Sequence, residues 1–345
     1  MHIFIDIGHP AHVHYFKNLI RIMKDKHGAS FTITSRDKEM AHYLLKKNNI
    51  PFINRGKGKD SIIGKLLYLV KADLQILRLA LKNKPTLFVS FGAPYVSQIS
   101  SLLNVPSITI DDTENAKLGQ MFYRPFSNLI LSPTTFYKDF GKKHLKFNGY
   151  IELSYLHPNY FKPDSGVFYD LGLKKSQPYS FIRFVKWKAH HDMGHKGISN
   201  ENKILVVKEL LKYGNVYISS EGKLPKEIEK YRIKIAPEKI HSVLYYAKLF
   251  YGESATMASE SAVLGTPAIY IDNDGRGYTD EQEKEYGLVF NYNESIEDQN
   301  KSIKKASQLL NSYNQTMWDE KRHALLKDKI DVTKYLIKTI NKIQK

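Results

Sequence analysis

The sequence predicts an α/β protein built from two doubly wound domains that face a cleft. Three observations lead there. Short apolar runs alternate with amphipathic helical stretches; the alternation pauses once near the middle and then restarts; and 345 residues are too many for one simple core. Alternation of this kind makes parallel sheets covered by helices on both faces. Such sheets bind ligands beyond the carboxyl ends of their strands.

The first half sets the rhythm. Residues 3–7 read as a buried strand ending at Gly8-His9-Pro10, and Tyr15, Phe16, Leu19, Ile20 and Met23 follow at helix spacing. Strands are expected at 31–34, 51–53, 87–90, 107–110 and 128–131, with helices at 41–47, 62–81 and 97–103. Residues 149–163, rich in Gly, Pro, Asn and Tyr, have the composition of a linker. The second half repeats the pattern. Strands are expected at 179–184, 215–219, 249–252 and 267–271, with helices at 203–213, 241–247 and 256–264. The domains are then 1–155 and 165–320. A basic helical segment, 321–345, carries an apolar stripe (Leu325, Ile330, Leu336, Ile340) and packs back on the first domain or faces a membrane.

Composition narrows the function classes. The chain is 42% hydrophobic and carries 52 Lys and Arg against 35 Asp and Glu, a net charge of +17. That surplus fits acidic partners such as nucleotide phosphates or anionic lipid, set against a basic surface that only aids solubility. With no cysteine, disulfides and Cys-based zinc sites are excluded. The opening residues lack a basic leader and a cleavage site. No apolar run approaches the roughly 18–20 residues needed to cross a bilayer. A cytoplasmic protein is expected, with peripheral contact at the inner membrane face as an option.

The segment 252–271 carries the clearest chemistry. An apolar strand stops at Gly252; Glu253, Ser254, Ala255 and Thr256 form a small, hydroxyl-rich turn; a helix with Ser259 and Glu260 follows; Gly265-Thr266-Pro267 ends it. The free N–H groups and positive dipole end of a helix start bind anions. Small residues let a diphosphate reach the backbone. Glu260, one turn in, can accept both hydroxyls of a ribose. The plainer reading makes Ser254 or Thr256 an N-cap and Glu260 a solvated residue.

This segment resembles the donor motif of GT-B enzymes, especially the transferase that adds N-acetylglucosamine to lipid I, and UDP-N-acetylglucosamine 2-epimerase. It is more similar still to an uncharacterised family of predicted bacterial and archaeal glycosyltransferases. Gly8-His9-Pro10-Ala11-His12-Val13-His14 resembles the glycine-rich loop of the lipid I transferase, and Asp112-Thr113-Glu114-Asn115-Ala116 its His-Glu-Gln-Asn-Ala stretch, without the first His. The epimerase's Gly-Thr-Arg-Pro-Glu signature is missing. The resemblance implies two Rossmann-like domains of GT-B type and transfer from a nucleotide sugar, a UDP-sugar, to an acceptor hydroxyl. Surface polysaccharide or glycolipid synthesis would be the setting. It implies diphosphate contacts from residues 254–259 and a ribose contact from Glu260. It puts His12 at the catalytic position, with Asp112 and Glu114 as further candidate bases. Neither a cofactor nor a metal is expected.

Other constellations are weaker. Arg183, at a strand end, can neutralise the leaving diphosphate. His190, His191, Asp192 and His195 offer zinc-type donors on what reads as a phosphate-contacting loop, beside Trp187, which either stacks on a ring or joins the core. Residues 56–66 fail as a P-loop, because Leu66 stands where Ser or Thr is needed. Gly8, His9, Lys57 and Lys59 are read as acceptor-side, suited to an acidic or lipid-linked glycan. Residues 272–282 resemble a calcium loop without its closing Glu; read as a loop on the donor sugar, they offer Asp280 and Gln282. A nucleotide-sugar epimerase or hydrolase is the alternative enzyme. A basic nucleic-acid-binding protein is the non-enzymatic one, with no RNA or DNA motif behind it.

Overall fold

A computed structural model describes residues 1–58, 61–186 and 195–344. The chain divides into two units, residues 1–155 with 330–345, and residues 156–329.

The first unit opens with β1 (His2–Ile7), α1 (Pro10–His27), β2 (Ser30–Ser35), α2 (Glu39–Lys47), β3 (Ile53–Asn54) and α3 (Ile62–Asn83). It continues through β4 (Leu87–Phe91), α4 (Pro94–Leu102), β5 (Ser107–Ile110), α5 (Lys117–Tyr123), β6 (Leu129–Pro133) and β7 (His144–Phe147). All strand pairs are parallel, in the order β3-β2-β1-β4-β5-β6-β7. Phe4 and Phe88 stack on one face of the sheet with Ile76 and Ala80 of α3 and Val96 and Ile99 of α4. The strands are legible as apolar runs because both faces are covered.

A short helix, α6 (Leu153–Leu156), lies at the junction of the units, followed by α7 (Val167–Asp170). The second unit then runs β8 (Tyr179–Phe184), α8 (Asn200–Leu210), β9 (Asn215–Ser220) and α9 (Lys226–Glu229). A 3-10 turn (Pro237–Lys239) leads into α10 (Ile240–Tyr246), β10 (Leu249–Gly252), α11 (Ala255–Leu264), β11 (Ala268–Ile271), α12 (Gly277–Lys284), β12 (Val289–Tyr292), α13 (Ile296–Asn311) and α14 (Gln315–Asp328). Its five strands are parallel, in the order β12-β11-β10-β8-β9. The last helix, α15 (Val332–Ile343), belongs to the first unit and packs on α1.

Several expectations change. Residues 150–155 are not linker: Tyr150, Ile151, Leu153 and Tyr155 are buried. The carbonyl of Ser154 accepts from Asn18 Nδ2 (3.0 Å) on α1 and Thr333 Oγ1 (2.8 Å) on α15, which pins the segment. The Gly, Pro and Asn residues around it look open, but its own aromatic rings are buried. The strand expected at 51–53 shrinks to Ile53–Asn54. The basic tail is not one helix. Asn314 caps α14 by accepting from Met317 N–H, and Asp331 caps α15 by accepting from Lys334 N–H. The apolar side of α15 (Val332, Leu336, Ile340) is buried, so it is not a membrane face.

The first unit also holds a charge pair that the sequence pattern did not disclose. Arg55, just after β3, grips Asp6 of β1 through two bonds, Nε–Oδ1 at 2.9 Å and Nη2–Oδ2 at 3.0 Å, with both side chains fully buried. Thr34 and Tyr68 complete the hydrogen bonding, and the Tyr95 ring lies 4.4 Å from the guanidinium carbon. Burial alone would lower the Arg55 pKa; the Asp6 carboxylate overrides it and raises it. Removing one partner strands the other charge in the core. We expect Arg55→Met to cost about 3–5 kcal/mol in urea unfolding. A loss below about 1 kcal/mol would show that Asp6 finds compensation elsewhere.

Candidate functional site

In each unit the strand order reverses direction once, between β1 and β4 in the first and between β8 and β10 in the second. These switch points, at the carboxyl ends of the strands, are where open α/β sheets bind ligands. Of the residues expected to be catalytic, donor-binding or acceptor-side, Gly8 and His9 follow β1, Arg183 lies at the end of β8, and Gly252, Glu253 and Ser254 end or follow β10; the other described ones lie on helices α1, α11 and α12 or after β3 and β5.

In the second unit β10 ends at Gly252. Only glycine fits: a Cβ there would sit 2.2 Å from the Arg183 carbonyl oxygen of neighbouring β8. Ser254 follows in extended conformation and caps α11, its side chain accepting from Met257 N–H. One N–H is thereby satisfied, and no acidic residue lies in the first turn. Ser254, Ala255 and Thr256 are half-buried. Helix start, small residues and a first turn without a carboxylate together suit an anion. At the far end Gly265, with φ of 89°, closes α11 in the left-handed region.

The other expected donor contacts divide. Glu260 is buried on α11, its Oε1 2.9 Å from His241 Nε2 on α10. It is not the solvated residue of the plainer reading. Ser259 and Gln282 are fully buried and bonded to each other at 2.8 Å, so they brace α11 against α12 and are closed to a ligand. Asp280 stands in the first turn of α12, because the expected loop gives way to helix at Gly277. Arg183 donates to Ser219 (2.7 Å) and pairs with Glu221, so a phosphate would have to compete with that carboxylate.

Glu253 has a different role from the one expected. Its buried carboxylate accepts the Val185 N–H (2.8 Å) with one oxygen and the Ile198 N–H (2.6 Å) with the other. It therefore closes the excursion that leaves β8 and returns to α8. Glu294 holds the returning arm, accepting from Lys196 N–H, from Gly197 N–H and from His195 Nδ1 at 2.7 Å. Trp187, His190, His191 and Asp192 lie outside the described residues, as does Lys59. The structure brings His195 to Asp272 and Asp274, with ligand-type atoms within 4.8 Å of one another; among the described residues this is the one such group. Burial would lower the His195 pKa, but Glu294, Asp272 and Asp274 raise it.

In the first unit three loops share the edge at β1, β4 and β5. His9 caps α1 by accepting the Ala11 N–H on Nδ1, and Pro10 starts the helix. Gly8 donates its N–H to His12 Nδ1 at 3.3 Å. In neutral His12 this contact favours the tautomer with its proton on Nε2. The ring packs 4.9 Å from Phe91, which ends β4, and 5.8 Å from Tyr15. Burial, then the charges of His9 and Lys38, hold its pKa well below the ordinary value. Desolvation, then Lys38 and Arg36, bring His9 down to about 4. Beyond β5, Asp111 accepts from Tyr123, Gln120 and Thr113 N–H, which sets the turn that carries Asp112 and Glu114. Both of these carboxylates are buried. Lys57 is exposed.

The two doubly wound sheets define a GT-B-like, Rossmann-like α/β protein. A family model described as "Protein of unknown function (DUF354)" matches residues 1–325, and the chain belongs to that family. An uncharacterized protein of Methanocaldococcus jannaschii is 25% identical over 280 residues, 77% of this chain and 80% of that one. Among solved structures, UDP-GlcNAc 2-epimerase from Neisseria meningitidis, bound to UDP-GlcNAc, aligns with a TM-score of 0.70 at 12% identity over 99% of this chain and 100% of that one. Acinetobacter baumannii MurG aligns with a TM-score of 0.60 at 14% identity over 99% of both chains. At such identities the likeness concerns the fold.

Two outcomes follow from the geometry. Glu253→Ala should leave the Val185 and Ile198 N–H groups without their acceptor; their hydrogen exchange should speed up by about tenfold or more. Unchanged exchange at both would remove the clamp. His12 titrates from an unfolded value of 6.5 to a lower folded one, so its stabilising contribution is complete above pH 6.5 and is lost as pH falls below it. His12→Gln should therefore reduce the fall in Tm between about pH 7.5 and pH 5.5. An equal fall in both proteins would refute this.

Proposed function

We propose that this protein is a nucleotide-sugar-dependent glycosyltransferase whose second unit binds the donor at the start of α11. The observation that carries the reading is the capped but acid-free first turn of α11 behind Gly252, with a buried glutamate, Glu260, one turn further on. In this reading the diphosphate lies on the helix start and Glu260 accepts ribose hydroxyls. UDP is the nucleotide, as in the Neisseria epimerase's bound UDP-GlcNAc. The helix dipole and backbone N–H groups stabilise the leaving diphosphate in the way a metal does in other enzymes. Arg183 joins them once the phosphate displaces Glu221.

The acceptor belongs to the first unit. With Nε2 protonated, His12 donates a hydrogen bond to an acceptor or sugar oxygen, and Asp112 or Glu114 takes the hydroxyl proton. The acceptor is an acidic or lipid-linked glycan, in surface polysaccharide or glycolipid synthesis. Leu67, Val70, Leu74 and Leu81 are exposed on α3 beside Lys71 and Arg78, a composition that suits peripheral attachment to anionic lipid. No helix among the described residues is long and apolar enough to cross a membrane.

Epimerisation is the second reading, favoured by the TM-score of 0.70 to the Neisseria enzyme. Incubation with UDP-sugars and no acceptor separates the two, because an epimerase forms the epimer without one. For the donor site, Glu260→Ala should weaken UDP binding about tenfold or more in calorimetry, the loss of hydrogen bonds to a charged group. Thermal shifts with a panel of nucleotide sugars should identify the donor, since a ligand of the native state raises its stability. Unchanged UDP affinity in Glu260→Ala would remove the ribose contact.

A further inference from the structure

The chemistry read at Glu260 needs its carboxylate plane to be set before the ligand arrives. Glu260 lies on α11, and its partner comes from a different element. His241, in the first turn of α10, places Nε2 2.9 Å from Glu260 Oε1. The two side chains are only 4% and 8% exposed. His241 is itself held, edge-on to the Phe161 ring at 6.3 Å. The frame is rigid: Thr266, just beyond α11, donates its hydroxyl to the Leu244 carbonyl of α10 at 2.7 Å.

We propose that His241 is a positioning residue for ribose recognition. It rests on the reading of Glu260 as the ribose contact. The imidazole N–H holds Oε1 and so orients the carboxylate toward the nucleoside hydroxyls. A charge-assisted hydrogen bond of this kind is strong and directional. It also offsets part of the cost of burying the carboxylate. A pair that merely joined α10 to α11 would affect every ligand alike. A positioning residue affects only ligands that carry the hydroxyl.

The experiment is calorimetry with UDP and 2′,3′-dideoxy-UDP, which lacks both hydroxyls. Wild type should prefer UDP by about tenfold or more, the loss of hydrogen bonds to a charged group. Glu260→Ala should abolish the preference. His241→Leu should weaken UDP by about tenfold, leave 2′,3′-dideoxy-UDP nearly unchanged and so abolish it too. His241→Gln, which keeps a side-chain N–H donor, should restore most of it. Should the Leu variant unfold, Asn, too short to reach Oε1, replaces it. If His241→Leu weakens both ligands equally or keeps the preference while Glu260→Ala loses it, His241 is structural only and the proposal is overturned. If wild type does not bind UDP, or Glu260→Ala keeps the preference, the reading of Glu260 fails first.

Discussion

The second unit depends on one carboxylate that never needs to meet a ligand. Glu253 takes two backbone N–H groups, one from each arm of the excursion between β8 and α8. Its own N–H bonds the Arg183 carbonyl at 3.0 Å, which continues the β10–β8 pairing one residue past Gly252. The cap at Ser254 is the next residue. The start of α11 and the exit of β8 are therefore fixed against each other through a single side chain. A buried carboxylate is costly unless its lone pairs are used, and here both oxygens are.

The two units solve a similar problem with different chemistry. In each, a glycine ends or directly follows a central strand and a capped helix starts close behind it: Gly8 and His9 before α1, Gly252 and Ser254 before α11. The second unit keeps its helix start plain, with small residues and a serine cap. The first surrounds its start with rings, as His12 lies against Phe91 and Tyr15. One surface suits phosphate, and the other suits a flat or partly apolar group.

Much of this was legible because it is local. Buried parallel strands such as β4, β10 and β11 show as apolar runs, and the order Gly252, Ser254, helix, Gly265 can be read along the chain. The edge strand β7 (His-Leu-Lys-Phe) escaped, because only Phe147 is buried and no run forms. Helix α12 escaped because Gly275-Arg276-Gly277 reads as loop until Tyr278 and Gln282 are seen to be buried. At the site, the missed facts join residues far apart in sequence: Glu260 to His241 over 19 positions, Glu253 to Ile198 over 55. No periodicity encodes which carboxylate meets which donor. The same applies to Asp6 and Arg55, 49 positions apart. His12 was found by its motif, but its tautomer depends on a backbone N–H at Gly8 that only coordinates show.

The placement of α15 has a consequence for how the chain is made. The first unit is finished by residues 330–345, which arrive after the whole second unit. Until then the nascent first unit lacks the apolar side of α15 over α1, and the Ser154 carbonyl lacks Thr333. Synthesis from the amino end therefore cannot complete the domains one after the other. The second unit must form as an insertion within the first, and α15, translated after it, seals the first domain begun.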